Sequence, residues 1–141
     1  MTAGPAGSGP ARRPGLAVLE ELPGNGPLVR RKDWLRLQLR LWLHRGDPVR
    51  WTSPSGFVTH ARLEDDGATL VTALRYDRRS LIGGLFYGIE GMRVGGTRRL
   101  SIAPQLAYGD AGVPGIIPPG ARLTAEITIL EARPSVPAGT G

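Results

Sequence analysis

The sequence predicts an α+β fold, five to six antiparallel strands wrapped around one short helix. Three observations predict it. Leu35, Leu37, Leu39, Leu41 and Leu43 alternate with Arg36, Gln38, Arg40, Trp42 and His44, the period of two that buries one face of a strand. A second alternation runs near the end of the chain, with Leu123, Ala125, Ile127 and Ile129 on one face and Arg122, Thr124, Glu126 and Thr128 on the other. Between them the period changes. Leu81, Leu85, Ile89 and Met92 recur at helical spacing, and Ile82 and Phe86 widen the same stripe. Many strands around a single helix make an α+β architecture rather than an alternating one.

The elements follow in chain order. Residues 1–15 are almost wholly Gly, Ala, Pro, Ser, Thr and Arg, and 134–141 read the same way. Neither stretch offers a core residue, so both are expected to be disordered tails flanking a domain over residues 16–133. Pro23-Gly24-Asn25-Gly26 reads as a turn ahead of the long leucine strand. Phe57, Thr59, Ala61 and Leu63 alternate, Asp65-Asp66-Gly67 turns the chain, and Leu70, Thr72 and Leu74 return it, which is a hairpin. Asp77 or Ser80 can cap the helix and Gly95-Gly96 can end it. Gly83, Gly84 and Gly88 sit inside it, each costing about 1 kcal/mol against alanine. Glycines tolerated there imply close approach to a sheet or to something bound. Leu100 and Ile102 mark a short strand before the last one.

Composition removes several function classes. The 141 residues hold 18 basic and 12 acidic side chains, a net charge of +6, and Lys32 is the single lysine. There is no cysteine, which excludes a disulfide scaffold, thiol catalysis and thiolate-ligated zinc. No apolar run approaches the 18 or so residues of a membrane span. No apolar leader precedes the domain, so a cytoplasmic monomer is the expectation. His44 and His60 lie on strand-like segments as surface residues, and no serine sits in a G-x-S-x-G setting. Asp65 and Asp66 belong to a turn rather than a metal site. The glycine pairs form no phosphate loop, because no G-x-x-x-x-G-K follows a strand. No metal and no cofactor are expected.

The informative segment is Ala107-Tyr108-Gly109 followed by Val113-Pro114-Gly115-Ile116-Ile117-Pro118-Pro119. Its prolines and glycines make a stiff, shaped loop. Two isoleucines inside it must either fold back on the core or line an apolar pocket, with Tyr108 as a polar tip at the loop's root.

This segment resembles the C-terminal half of the FKBP-type peptidyl-prolyl cis–trans isomerases. That family carries a helix core V-I-x-G-W, then M-x-V-G, P-x-x-A-Y-G and G-x-P-G-x-I-P-P. Here stand Leu81-Ile82-Gly83-Gly84-Leu85, Met92-Arg93-Val94-Gly95, Pro104-Gln105-Leu106-Ala107-Tyr108-Gly109 and the proline loop, in the same order. The likeness covers about residues 80–131; the earlier half matches in outline. The resemblance implies a twisted antiparallel sheet around a short helix, with a pocket between the two. It implies that the Ile82 amide and the Tyr108 hydroxyl hydrogen-bond to substrate carbonyls as catalytic groups. Leu81, Leu85, Ile116, Ile117, Trp51 and Ala125 would line the pocket.

The departures are as informative. Leu85 stands where the family's floor tryptophan lies, and Ala125 where the last strand carries an aromatic. Leu39 or Arg40 replaces a tyrosine on the long strand, and Trp51-Thr52 replaces a Phe-Asp pair. Prolyl rotation is slow because amide resonance must be broken, a barrier of about 18–20 kcal/mol. A dry apolar cup that favours the twisted imide needs no proton transfer, so the missing triad is no obstacle. The resemblance therefore implies a prolyl isomerase acting on proline-containing polypeptides, with macrolide inhibitors bound weakly. The alternative is a weakly active or inactive peptide-binding or chaperone module. A nucleic-acid or acidic-protein face through Arg30, Arg31, Lys32, Arg36 and Arg40 ranks below both, since alternating arginines on a strand are usually a solvated face.

Overall fold

A computed structural model describes residues 13–44, 46–49, 62–64, 66 and 68–134. Six strands in that set form one antiparallel sheet: β1 (Leu16–Leu22), β2 (Trp34–Leu43), β3 (Arg62–Leu63), β4 (Leu70–Arg75), β5 (Thr97–Ile102) and β6 (Leu123–Arg133). Their order across the sheet is β1-β5-β6-β2-β4-β3. One helix, α1 (Gly83–Ile89), covers one face of it.

The long alternations lie side by side. β2 and β6 pair along their whole length, with Leu39 opposite Ile127 and Leu41 opposite Ala125. Leu35, Leu37, Leu39 and Leu41 are each 1% exposed, so the period-two reading outweighs leucine's helical leaning. Deleting any one of them to alanine costs about 2–5 kcal/mol, because the packed site relaxes only in part. β5 adds Leu100 and Ile102 on the same face, and α1 closes it with Leu85, Phe86 and Ile89.

The helix is shorter than its hydrophobic stripe. Leu81, in a bend, and Ile82, in extended backbone, precede it, and Met92 follows it. Asp77 does not cap it; its carboxylate accepts the Arg79 and Ser80 amides at 3.1 and 3.0 Å and so holds the preceding turn. Ile82 is the capping residue and brings no side-chain hydrogen bond. Nor do Gly95 and Gly96 end the helix: it stops at Glu90, before Gly91 at φ +84°. The glycines inside it answer to the sheet. A Cβ on Gly84 would run into Ile102, and one on Gly88 into Leu100.

Two further expectations change. β1 was not foreseen as a strand, because LAVLEEL does not alternate; its partner β5 fixes it at the sheet edge, with a bulge between Val18 and Glu20. The first tail was drawn too long, since residues 13–15 are held by the fold. The Gly15 carbonyl accepts the Ala103 amide at 2.7 Å, and the Arg13 guanidinium lies 3.5 Å from the centre of the Tyr87 ring. Phe57 to Ala61, His60, and residues 1–12 and 135–141 fall outside the described set. Leu63 pairs with Leu70 as the hairpin requires. Among the described residues no helix is long and apolar enough to cross a membrane.

Candidate active site

The candidate site is built where α1 begins. Ile82 has φ −64° and ψ 158°, and its carbonyl accepts the Leu85 and Phe86 amides at 3.1 and 3.0 Å. That starts the helix and leaves the Ile82 N–H without a backbone acceptor among the described residues. Orphan donors of this kind are general at the start of a helix. Arg78 donates to the Leu81 carbonyl at 2.6 Å, fixing the chain just before it. Leu81 and Leu85 turn inward and are buried.

Tyr108 comes from the segment after β5. A 3-10 turn at Pro104–Leu106 reverses the chain, and the Ala107 and Gly109 amides both donate to the Pro104 carbonyl. Gly120 N–H donates to Gly109 C=O at 2.8 Å, tying the two ends of the proline loop together. Inside it Val113 and Ile117 exchange two backbone hydrogen bonds at 2.8 Å across the Pro114-Gly115 tip. Gly112 must be glycine, since its φ is +63° and a Cβ would strike the Ile117 carbonyl.

This rigid frame separates the two isoleucines. Ile117 is 2% exposed and anchors the loop in the core, while Ile116 stays half-buried. Ile117 thus folds back on the core, one of the two outcomes foreseen for such residues. Tyr108 and Ile82 are also half-buried and pack on the same apolar cluster. Burial pushes the Tyr108 phenol above its ordinary range, so it remains a protonated donor at neutral pH.

Leu85 and Ala125 lie beneath the site rather than open to it, at 1% and 0% exposure. Ala125 is flanked by Leu41 on one side and Leu100 on the other. Of the two candidates on the long strand, Leu39 faces this core; Arg40 points to the opposite face, against Trp42 and Asp66. Trp51 lies outside the described residues. Among those described, no group of three metal-ligating side chains occurs.

Sequence reasoning missed two residues that hold α1 in place. The Tyr76 hydroxyl donates to the Phe86 carbonyl at 2.9 Å, and burial raises its pKa to about 12. Arg98, 0% exposed, donates to the Gly88 and Glu90 carbonyls and to the Glu21 carboxylate. Arg98 was visible in principle, because it shares the inward phase of β5 with Leu100 and Ile102.

Ile82 and Tyr108 each carry a hydrogen-bond donor, an amide and a phenol, on residues packed against the apolar core. The sequence model of the FKBP-type peptidyl-prolyl cis–trans isomerases matches residues 58–130, just over half of the chain. The chain belongs to this family. Among its FKBP relatives, a chloroplastic peptidyl-prolyl cis–trans isomerase of Arabidopsis thaliana is 45% identical over 64 residues, 45% of this chain and 27% of that protein. The isomerase FkpA of Escherichia coli is 37% identical over 71 residues, covering 50% of this chain and 26% of FkpA. The chain therefore spans about a quarter of either relative.

The FKBP fold is borne out in three dimensions. The crystal structure of FkpA superposes over 86% of this chain and 48% of its own, with a TM-score of 0.61 and 27% identity. A Pseudomonas syringae peptidyl-prolyl isomerase superposes over 86% and 83%, with a TM-score of 0.60 at 23% identity, which speaks to fold alone.

Proposed function

We propose that this FKBP domain is a peptidyl-prolyl cis–trans isomerase acting on flexible, proline-containing polypeptides. One observation supports the reading: Ile82, Tyr108 and Ile116 are partly buried and pack against the apolar core to which Leu81, Leu85 and Ile117 belong. A proline ring seated there loses water, and the twisted imide is favoured over the planar one as its nitrogen loses resonance with the carbonyl. The Tyr108 phenol and the Ile82 amide would orient the flanking carbonyls. We further assign its work to the cytoplasm and treat it as a monomer, on composition alone.

A second reading has its own support. Leu85, Ala125 and Leu39 are aliphatic and covered, whereas the family resemblance places aromatics at these positions. A shallower, aromatic-poor cup favours a peptide-binding module with little catalysis, and weak binding of macrolide inhibitors. NMR exchange on proline tetrapeptides with varied preceding residues decides between them. Cis–trans exchange faster than the uncatalysed rate at catalytic protein concentration supports the isomerase. Saturable binding without faster exchange selects the module.

A further inference from the structure

The positive charge gathers at one end of the sheet. The turn before β2 carries Arg30, Arg31 and Lys32, and it is hydrogen-bonded to the end of β4. Lys32 N–H donates to the Tyr76 carbonyl at 2.9 Å, and Tyr76 N–H to the Asp33 carbonyl at 2.8 Å. Arg75 closes β4 and Arg78 and Arg79 follow it. Six cations therefore cluster at this end, among which Arg31 lies over the Phe86 ring, Arg75 over the Trp34 ring and Arg78 donates to the Leu81 carbonyl, while Arg30, Lys32 and Arg79 are exposed.

Among the described residues none of the six forms a close ion pair, although Lys32 lies near enough to Asp77 to help hold its carboxyl below the ordinary range. Among the described residues the arginines in ion pairs are Arg36, Arg40, Arg62, Arg98, Arg99 and Arg133; the six named above take no carboxylate. The nearby acids are largely engaged with backbone: Asp33 accepts the Arg30 amide at 2.9 Å and Asp77 the amides of its own turn. Glu90 is the remaining carboxylate in the groove beside Arg30 and Arg31.

An aromatic platform stands at the same end. Trp34 opens β2 on the face opposite the core, in register with Arg75 and Arg133. It is 50% exposed, with the Arg75 guanidinium 5.5 Å from its ring centre. It borders a groove of about 340 Å³ that runs past Arg36 and Arg133, both paired there with Glu131. Arginine forks match phosphate oxygens two at a time. A half-exposed indole offers a face to an unpaired base, and stacking of this kind is indifferent to base identity.

From this juxtaposition we propose that the β2–β4 end of the sheet binds single-stranded nucleic acid, with Trp34 stacking a base and the Arg30–Lys32 and Arg75–Arg79 turns holding phosphates. This activity does not depend on prolyl isomerisation, although Arg78 of the second turn also donates to the Leu81 carbonyl beside Ile82. Of the arginines that alternate along β2, Arg36 and Arg40 are paired with acids on the sheet, as a solvated face would have them, and the cations of the two turns take their place in the proposed surface.

The test uses the full 141-residue chain and a fluorescein-labelled 12-nucleotide oligothymidylate, followed by anisotropy. With about four phosphates engaged, affinity should fall roughly 50-fold between 50 and 200 mM salt. Trp34→Leu should weaken binding about tenfold and abolish indole quenching by the oligonucleotide. Arg31→Gln with Arg79→Gln should weaken it at least about fivefold, while the charge-matched pair Arg62→Gln with Arg122→Gln should change it less than about twofold. Equal losses in the two double variants, with thermal melts unchanged, would reduce the effect to net charge and overturn the proposal. So would a 12-residue oligoglutamate that binds as tightly as the oligonucleotide without regard to Trp34, which would make this end a surface for acidic proteins.

Discussion

Arg98 and Glu21 form an ion pair of 2.6 Å between the inner face of β5 and the edge strand β1, and the arginine is wholly covered. The same guanidinium accounts for two carbonyls at the end of α1, Gly88 at 2.8 Å and Glu90 at 2.7 Å. One side chain thus fastens the edge strand, the sheet and the helix that carries Ile82. Helix C-terminal carbonyls lack partners within the helix and carry partial negative charge, so a cation is well placed there.

Arg98→Ala should therefore be among the costliest single changes, about 3–5 kcal/mol, because it strands one buried and one part-buried carbonyl and a carboxylate. Glu21→Gln should cost less, about 1–2 kcal/mol, since the amide oxygen can still accept and the position is partly open to water. Urea unfolding curves measure both. Equal, small losses would mean that the guanidinium finds other partners.

Gly84→Ala sets two effects against each other. Helix propensity alone would stabilise by about 1 kcal/mol. The new Cβ, however, meets three Ile102 side-chain atoms at or below 3.0 Å, and a β-branched side chain in a packed sheet cannot swing away. Overpacking costs about 1–3 kcal/mol, so a net loss of stability is expected. A higher melting temperature in Gly84→Ala would show that helix and sheet separate easily.

Asp66 gives a pH-dependent handle on the β3–β4 hairpin. Its carboxylate accepts the Thr69 hydroxyl at 2.6 Å and the Ala68 and Thr69 amides, which together lower its pKa to about 2. A depressed carboxylate pKa contributes stability that is complete above the unfolded value and lost as pH falls through the folded one. The window is therefore about pH 4 down to 2. The Thr69 amide shift, followed by NMR, should titrate near 2, and Asp66→Asn should remove that step. A midpoint near 4 would mean the turn is open in solution.

Much of this architecture was legible in the chain because burial has a period. β2, β4, β5 and β6 alternate cleanly, and the glycines of α1 announced the close sheet. β1 was not legible, since its edge position leaves Ala17, Val18, Leu19 and Leu22 exposed and no inward phase survives. The helix limits failed for a different reason: Leu81 and Met92 are buried by the segments on either side, so the apolar stripe outruns the hydrogen-bonded turns. At the candidate site, the loop motif pointed to Tyr108 and the two isoleucines, but only the fold could show that Ile117 is anchored in the core while Ile116 stays half-buried. Arg98 and Tyr76 were passed over because their value lies in carbonyls distant in sequence.

Tyr108→Phe isolates the phenol. Its ring keeps the same apolar contacts, so stability should change little. Loss of one hydrogen bond to a bound peptide should weaken binding by about 0.5–1.5 kcal/mol, up to roughly tenfold. Calorimetric titration with a proline tetrapeptide measures this. Unchanged affinity would make Tyr108 a packing residue at the loop's root.

Leu85→Trp asks whether the covered floor can be reopened. A tryptophan at this position would add roughly 60 Å² of apolar surface against a proline ring; at about 25 cal/mol per Å² that is on the order of 1.5 kcal/mol, or about tenfold in kcat/KM if the contact is made in the transition state. The obstacle is packing. Leu85 is 1% exposed, and Gly84 already holds α1 hard against Ile102. The larger ring should cost about 1–3 kcal/mol of stability. The expected outcome is a lower melting temperature together with isomerase activity raised severalfold in the folded fraction, measured well below the transition. A folded variant with no gain would mean that Leu85 lies too deep to reach a bound proline. The peptide-binding reading would then be preferred, because no aromatic floor could be restored from that position.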